Sequence, residues 1–279
     1  MSGILYLVAT PIGNLEDITF RAVRILKGCD LIACEDTRHT RILLNYYGID
    51  KPLVSYHDHN EAARSAELIA KLKDGLHVAL VSDAGMPLVA DPGYRLVTAA
   101  VAEGISVQPI PGASALITAL AASGLPTDAF RFAGFLPARS GQRGAALEAL
   151  KGDSATLIFF EAPHRILDAL ADIERIMGAR PVVVGRELTK THEEFLRGTA
   201  GEILEILKNR PSVKGEITLL VGKALKSGIA SADPVSIAEA VANHERDGLS
   251  RMDAIKAVAR RQGLSKREVY ARVNLTPKK

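Results

Sequence analysis

VALVSDAGMPLVADPG, residues 78–93, holds an apolar run that stops abruptly at Ser82-Asp83. Two turn-rich clusters follow, Asp83-Ala84-Gly85 and Asp91-Pro92-Gly93. The run predicts a buried strand, and the remainder an irregular loop at its carboxyl end. In open α/β sheets, ligands bind in the crevice outside the carboxyl ends of the strands. Two aspartates and two glycines in this loop make a floor that a small polar ligand can approach closely.

Outward from this stretch, strand and helix signals alternate. Residues 4–9, 31–34, 77–81 and 105–109 are short β-rich apolar runs. Residues 19–27, 37–47, 60–73, 94–103 and 114–122 read as helices, with Asn60 placed to cap the third. This alternation predicts a largely parallel sheet covered by helices. SGLPT at 123–127 breaks the pattern. Beyond it, strands at 130–135, 156–160, 182–185, 193–197 and 216–221 mix with helices at 141–150, 166–177 and 200–207 to give a second α/β domain. KSGIASADP, 226–234, reads as a linker. Helices at 251–261 and 266–273 then flank the turn Gly263-Leu264-Ser265, with Ser265 as cap, in the outline of a helix-turn-helix. The expected division is 1–123, 124–226 and 233–279.

The 279 residues are 47% hydrophobic and 24% charged, ample for buried cores. No apolar run reaches the roughly 18–20 residues of a membrane helix, and the first residues lack a basic leader. Cys29 and Cys34 give neither a disulfide framework nor zinc spacing, and they suit a reducing cytoplasm. The formal charge is +3, but residues 233–279 carry ten Lys/Arg against six Asp/Glu, and the rest carries 25 against 26. The basic tail reads either as the footprint of a polyanion partner or as a solvated helical surface.

Four turn clusters close predicted strands: 10–14, 82–85, 111–114 and 161–165. Meeting at one sheet edge, they would build a pocket. The first holds a single glycine and is not G-x-G-x-x-G, and no Walker A pattern occurs, which argues against dinucleotide and nucleoside-triphosphate sites. No G-x-S-x-G elbow marks a hydrolase. In EDTRHT, 35–40, Asp36 or Thr37 can cap the next helix. Capping does not account for Glu35, Arg38 and His39 together. YHDHNE, 56–61, contains His-x-His, yet no third ligand cluster supports a metal, and a polar cleft wall is the better reading. Pro163-His164-Arg165 opens a helix whose amides and Arg165 can hold an anion. RELTK, 186–190, offers a charge pair, which on a plain surface is worth little.

Taken together, LVATPIGNLEDIT, ACEDTRHT, SYHDHNE, SDAGMPLVADPG, PIPGASALITALAASGLP, FAGFLP, FFEAPHR, RELTKTHEE and KGEITLLVG resemble the ribosomal RNA small subunit methyltransferase I family in order from about Leu5 to Gly222. The resemblance implies a two-domain α/β tetrapyrrole-methylase-like fold with S-adenosylmethionine held folded in a deep cleft, and a homodimer. It implies 2′-O-methylation of a cytidine ribose in the decoding region of small-subunit ribosomal RNA. Carried onto this chain, the cofactor site would draw on Pro11, on Ser82, Asp83, Ala84, Gly85 and Met86, on Ser114 and Ala115, and on Phe160, Glu161 and Ala162. Met86 stands where the family pattern has a threonine. Asp91-Pro92-Gly93 is expected to shape the loop rather than touch the cofactor.

The ribose hydroxyl must lose its proton, and Glu35, Asp36, His39 and Glu187 are the candidate bases. Arg38, Arg165, Arg186 and Lys190 are candidate phosphate contacts at the cleft mouth. Arg260, Arg261, Lys266, Arg267 and Arg272 of the tail would add electrostatic grip on RNA. Two other readings stay open: a small-molecule methyltransferase of precorrin or diphthamide type on the same fold, and a non-catalytic RNA-binding assembly factor. No metal and no membrane partner are expected.

Overall fold

The computed structural model describes residues 2–224, 234–246, 248–262 and 264–274. Met1–Lys223 form one compact unit and Ala224–Lys279 another. The first unit begins with β1 (Ile4–Val8), α1 (Phe20–Gly28), β2 (Leu31–Cys34), α2 (Thr37–Tyr46), β3 (Leu53–Ser55), α3 (Glu61–Lys73), β4 (Val78–Val81), α4 (Tyr94–Ala102), β5 (Ser106–Ile110) and α5 (Ala115–Ser123). Its five strands lie in the order β3-β2-β4-β1-β5, all parallel. Val78, Ala79, Leu80 and Val81 are all buried, as a strand covered on both faces requires. One face packs Leu5, Leu68, Leu72, Leu80 and Leu96; the other packs Val8, Leu26, Ile32, Ala79 and Ile110. Fully burying each such side chain is worth roughly 1.5–3 kcal/mol.

Strands β1 and β4 are neighbours, but the chain leaves them in opposite directions. From β1 it crosses to β2 on one side, and from β4 to β5 on the other. That is a topological switch point, where connections diverge and leave a crevice at the carboxyl edge.

A second sheet follows, built from β6 (Phe130–Phe135), β7 (Thr156–Glu161), β8 (Pro181–Arg186), β9 (Glu194–Thr199) and β10 (Ile217–Val221) in the order β6-β7-β10-β8-β9. Only the β6–β7 pair is parallel. Helices α6 (Ser140–Leu150), α7 (Ile166–Met177) and α8 (Ala200–Lys208) complete it. Helix α7 buries Ile166, Ala169, Leu170, Ile173 and Ile176, a helical stripe against the sheet. Thr199 and Glu202 form a capping box that starts α8.

The second unit contains α9 (Pro234–Arg246), α10 (Arg251–Gln262) and α11 (Lys266–Asn274) around Ile237, Val241, Ile255, Val258 and Val269. Ser265 caps α11 as expected: the Glu268 amide donates to Ser265 Oγ at 3.2 Å, and the Ser265 amide donates to Glu268 Oε2 at 2.8 Å.

The elements read from sequence have ends within two residues of those observed. Helix α9 and strand β3 were not anticipated. Of the expected linker at 226–234, all but Pro234 lies outside the described residues, and Pro234 begins α9. Asn60 precedes α3, but its side chain makes no cap bond. It reaches backwards instead, accepting from the His57 amide at 2.9 Å and donating to the Ser55 carbonyl at 3.1 Å.

Candidate active site

The loops that leave β1 and β4 are tied together at the switch point. Thr10 and Gly85 exchange two backbone hydrogen bonds, of 2.9 and 3.1 Å, and Thr10 Oγ1 donates to the Ser82 carbonyl at 3.1 Å. A loop from the second sheet meets them. The Asn14 amide donates to Thr189 Oγ1 at 3.1 Å. A Cβ on Gly13 would lie 2.5 Å from Lys190 Cγ and 2.9 Å from the Leu188 carbonyl oxygen, so only glycine allows this approach.

Among the described residues, the non-glycine residues with positive φ are Leu88, Ala90, Glu187 and Thr189. All four belong to these facing loops. Backbone held in this sparsely populated region costs on the order of 1–3 kcal/mol per residue, and such strain collects at ligand clamps.

Two cavities open between the loops. The first, of 410 Å³, is lined by Ile12, Asp83, Ala84, Asp91, Ala115, Phe135, Phe160, Glu161, Ala162, Leu188 and Glu216, among others. The second, of 320 Å³, is lined by Thr10, Pro11, Gly13, His39, Thr40, Ile42, Ser82 and Lys190 and shares Ile12, Asp83, Ala84 and Glu216 with the first. The shared wall makes them two chambers of one cleft.

The first chamber is acidic on one side and apolar on the other. Burial pushes the Asp91 carboxyl up to about 6, with the charges of Glu35, Asp83 and Asp58 adding to the effect. Glu35, an exposed residue that lines neither chamber, is likewise raised by desolvation and by the charges of Asp83 and Asp58. Glu161 has no exposed side-chain surface. Its Oε1 accepts from the Ala162 amide at 2.8 Å and forms an ion pair with Arg165 Nη2 at 2.8 Å, while its Oε2 is buried without a partner. Phe132 and Phe135 pack edgewise on Phe160, with ring centroids at 4.8 and 5.7 Å.

Most of the residues singled out from sequence gather here. Pro11, Ser82, Asp83, Ala84, Ala115, Phe160, Glu161 and Ala162 all line the cleft. Gly85, at φ +83°, supplies the turn that pairs with Thr10. Ser114 precedes α5, and its hydroxyl makes no cap bond. Met86, expected at the cofactor, lines neither chamber and packs its side chain with Leu88 against the core that holds Leu80 and Leu96. A methionine in place of a hydroxyl residue therefore serves the core. Asp91, expected only to shape the loop, lines the first chamber. Phe135, Leu188 and Glu216 also line the cleft and were not named as site residues, although each lies inside a quoted motif, FAGFLP, RELTK and KGEITLLVG.

The charged candidates divide by their partners. Asp36 caps α2, accepting from the Arg38 amide at 2.8 Å, and the Arg38 guanidinium beside it holds its carboxyl down to about 2. The Asp36 amide in turn donates to Asp83 Oδ1 at 3.2 Å. Glu187 accepts from the Glu216 amide and from Lys190 Nζ, both at 2.9 Å, which lowers its carboxyl. Arg165 is bound to Glu161 and to the Leu136 carbonyl. Arg186 pairs with Glu194 at 3.0 Å, and Lys190 pairs with Glu187 and Glu216. Arg38 keeps 90% of its side chain exposed, and His39 lines the second chamber. In the tail, Arg260, Lys266 and Arg267 are exposed, while the side chain of Arg261 lies outside the described residues. Among the described residues, no three His, Cys, Asp or Glu gather as metal ligands, and no helix is long and apolar enough to cross a membrane.

Comparison with known proteins bears on the family and the fold. Residues 4–204 match the family model for Tetrapyrrole (Corrin/Porphyrin) Methylases. The chain is 51% identical over 271 residues to ribosomal RNA small subunit methyltransferase I of Halalkalibacterium halodurans, covering 96% of this chain and 93% of that protein. Among solved structures, diphthine synthase superposes with a TM-score of 0.62 at 18% identity, over 81% of this chain and 92% of that one. Uroporphyrin-III C-methyl transferase from Thermus thermophilus, complexed with S-adenyl homocysteine, superposes at 0.55 with 19% identity, over 80% of this chain and 98% of that one.

Proposed function

Because the chain belongs to the tetrapyrrole (corrin/porphyrin) methylases and, within them, to the ribosomal RNA small subunit methyltransferase I family, we propose that it methylates the 2′-hydroxyl of a cytidine ribose in the decoding region of small-subunit ribosomal RNA, with S-adenosylmethionine as donor. The relatives' shared name supports the RNA substrate. The observation that carries the donor assignment is the first chamber: a buried carboxylate oxygen without a partner, two further aspartates and an aromatic wall.

The residues present fit this donor. Phe160, Ile12 and Leu188 offer apolar surface for the adenosine, and Asp83 and Asp91 offer negative charge for a cation. Glu161 Oε2 is free to accept a hydrogen bond. Pro11, Ser82, Ala84, Gly85, Ser114, Ala115 and Ala162 complete the proposed set, through backbone and small side chains that permit close approach. S-adenosylmethionine supplies, when bound, an electrophilic methyl group on a sulfonium centre. Holding the two reactants in line is the main task of the cleft, and orientation is worth on the order of 7–11 kcal/mol in model reactions.

For the proton, Asp36 and Glu187 are weak candidates, because the Arg38 guanidinium holds Asp36 low and the Glu216 amide with Lys190 holds Glu187 low. His39, lining the second chamber, and Glu35, outside both chambers and raised by desolvation and by the charges of Asp83 and Asp58, remain as bases. The second chamber then takes the ribose. The two sheets serve as lobes 1–123 and 124–226, with 233–279 as a separate RNA-gripping module. We further propose a homodimer acting in the cytoplasm.

A heat-shift titration tests the donor assignment. S-adenosylmethionine should raise the melting temperature in a saturable way. A protein that shows no stabilisation at millimolar S-adenosylmethionine would instead be a cofactor-free RNA binder.

A further inference from the structure

We infer that the solvent face of α2 is a docking platform for single-stranded RNA that delivers the target nucleotide to the second chamber. This rests on the reading of the chain as an RNA methyltransferase and names where the strand lies. The helix TRHTRILLNY holds two arginines and a histidine and no acidic residue. Thr40, Leu43 and Leu44 are buried beneath it. The opposite face presents Arg38, Arg41, Ile42, Asn45 and Tyr46 to solvent, with Ile42 63% and Tyr46 58% exposed. An isoleucine and a tyrosine one turn apart, flanked by arginines at the same spacing, interleave apolar and basic groups. That is the chemistry of a stacked single strand: bases on flat apolar surface, phosphates on cations.

The aromatic is held ready. The Tyr46 ring meets Tyr47 edgewise at 4.9 Å and 74°, and Tyr47 Oη donates to the Leu15 carbonyl at 2.7 Å. Leu15 itself lines the second chamber, as do His39, Thr40, Ile42 and Leu43 of the same helix. The platform is thus continuous with the chamber. Among the described residues Arg41 makes no ion pair, and Arg38 is engaged only by Asp36 in an exposed pair. By contrast Arg165, Arg186 and Lys190, on the other side of the cleft, are neutralised internally. Charge complementarity therefore favours a polyanion on α2. RNA bases recognised in single strands stack on such side chains.

The test uses the whole chain with Arg41→Ser and Tyr46→Ala, singly and together. Neither residue lines a chamber, so stabilisation by S-adenosylmethionine reports folding and an intact donor site. The probes are a labelled single-stranded oligoribonucleotide and purified small ribosomal subunits lacking the methyl group. Each substitution should weaken binding of both probes about fivefold or more, raising KM without lowering kcat. Arg41→Ser should reduce the slope of log affinity against log salt by roughly 0.7. Wild-type affinity for both probes in the double variant would overturn the platform while leaving the function intact. Weakened subunit binding with unchanged oligonucleotide binding would assign the face to a ribosomal protein, and loss of a dimer on light scattering would assign it to a second copy. A wild-type protein that binds neither probe would overturn the RNA reading itself.

Discussion

At the residue scale, Asp91 is the most instructive position. Burial, with the charges of Glu35, Asp83 and Asp58 added, raises its carboxyl to about 6. A carboxyl raised above its unfolded value of about 3.9 binds more protons in the folded state. Its stabilising contribution is therefore complete below pH 4 and is lost as pH rises through 6. A bound cation reverses that preference, because it favours the ionised form. Affinity for S-adenosylmethionine should thus increase between pH 5 and 7, and Asp91→Asn should flatten the dependence in an isothermal titration series. An unchanged pH profile in that variant would remove Asp91 from the donor site. Glu161→Gln should weaken the donor about tenfold or more, since hydrogen bonds to charged groups are worth roughly 1.5–3 kcal/mol. Of the bases, the one that acts should, when changed to alanine, lower turnover about a hundredfold with donor affinity kept. Normal turnover in both His39→Ala and Glu35→Ala would exclude both. Sequence could name these residues but not their partners. That Asp36 caps a helix, or that Arg165 is consumed by Glu161, depends on distances that no spacing encodes.

At the element scale, strand and helix patterning was readily legible, because fully buried runs such as VALV and stripes such as that of α7 leave strong periodic signals. Strand β3 escaped because three residues are too few to display a period. The direction of side chains in the 82–93 loop was not legible either. Leu88 and Ala90 take left-handed backbone conformations between Met86, which packs on the core, and Asp91, which lines the chamber. The joint between the loops depends on Gly13, where a Cβ would clash with Lys190 and Leu188. Gly13→Val should therefore spread the facing loops. We expect a lower melting temperature and at least a tenfold loss of donor affinity, and a variant that keeps both would show the joint to be pliable.

At the scale of the whole molecule, the switch point between β1 and β4 explains why the cleft lies where it does, and the carboxyl-edge rule locates it from element order alone. What the fold does not specify is the substrate, because the same architecture carries diphthine synthase and a uroporphyrin-III methyl transferase. The charge distribution bears on that choice. Reversing Arg260, Lys266 and Arg267 to glutamate should weaken small-subunit binding and flatten its salt dependence, leaving the donor unaffected. Unchanged subunit affinity would reassign those residues to a solvated surface. The account stands most directly on one measurement: methyl transfer from labelled S-adenosylmethionine to small subunits purified from cells lacking this enzyme, followed by nuclease digestion and mass mapping. The account predicts one methyl per subunit, on the ribose 2′-oxygen of a cytidine in the decoding region. A methyl on a base, on a different nucleotide, or on no RNA at all would contradict it.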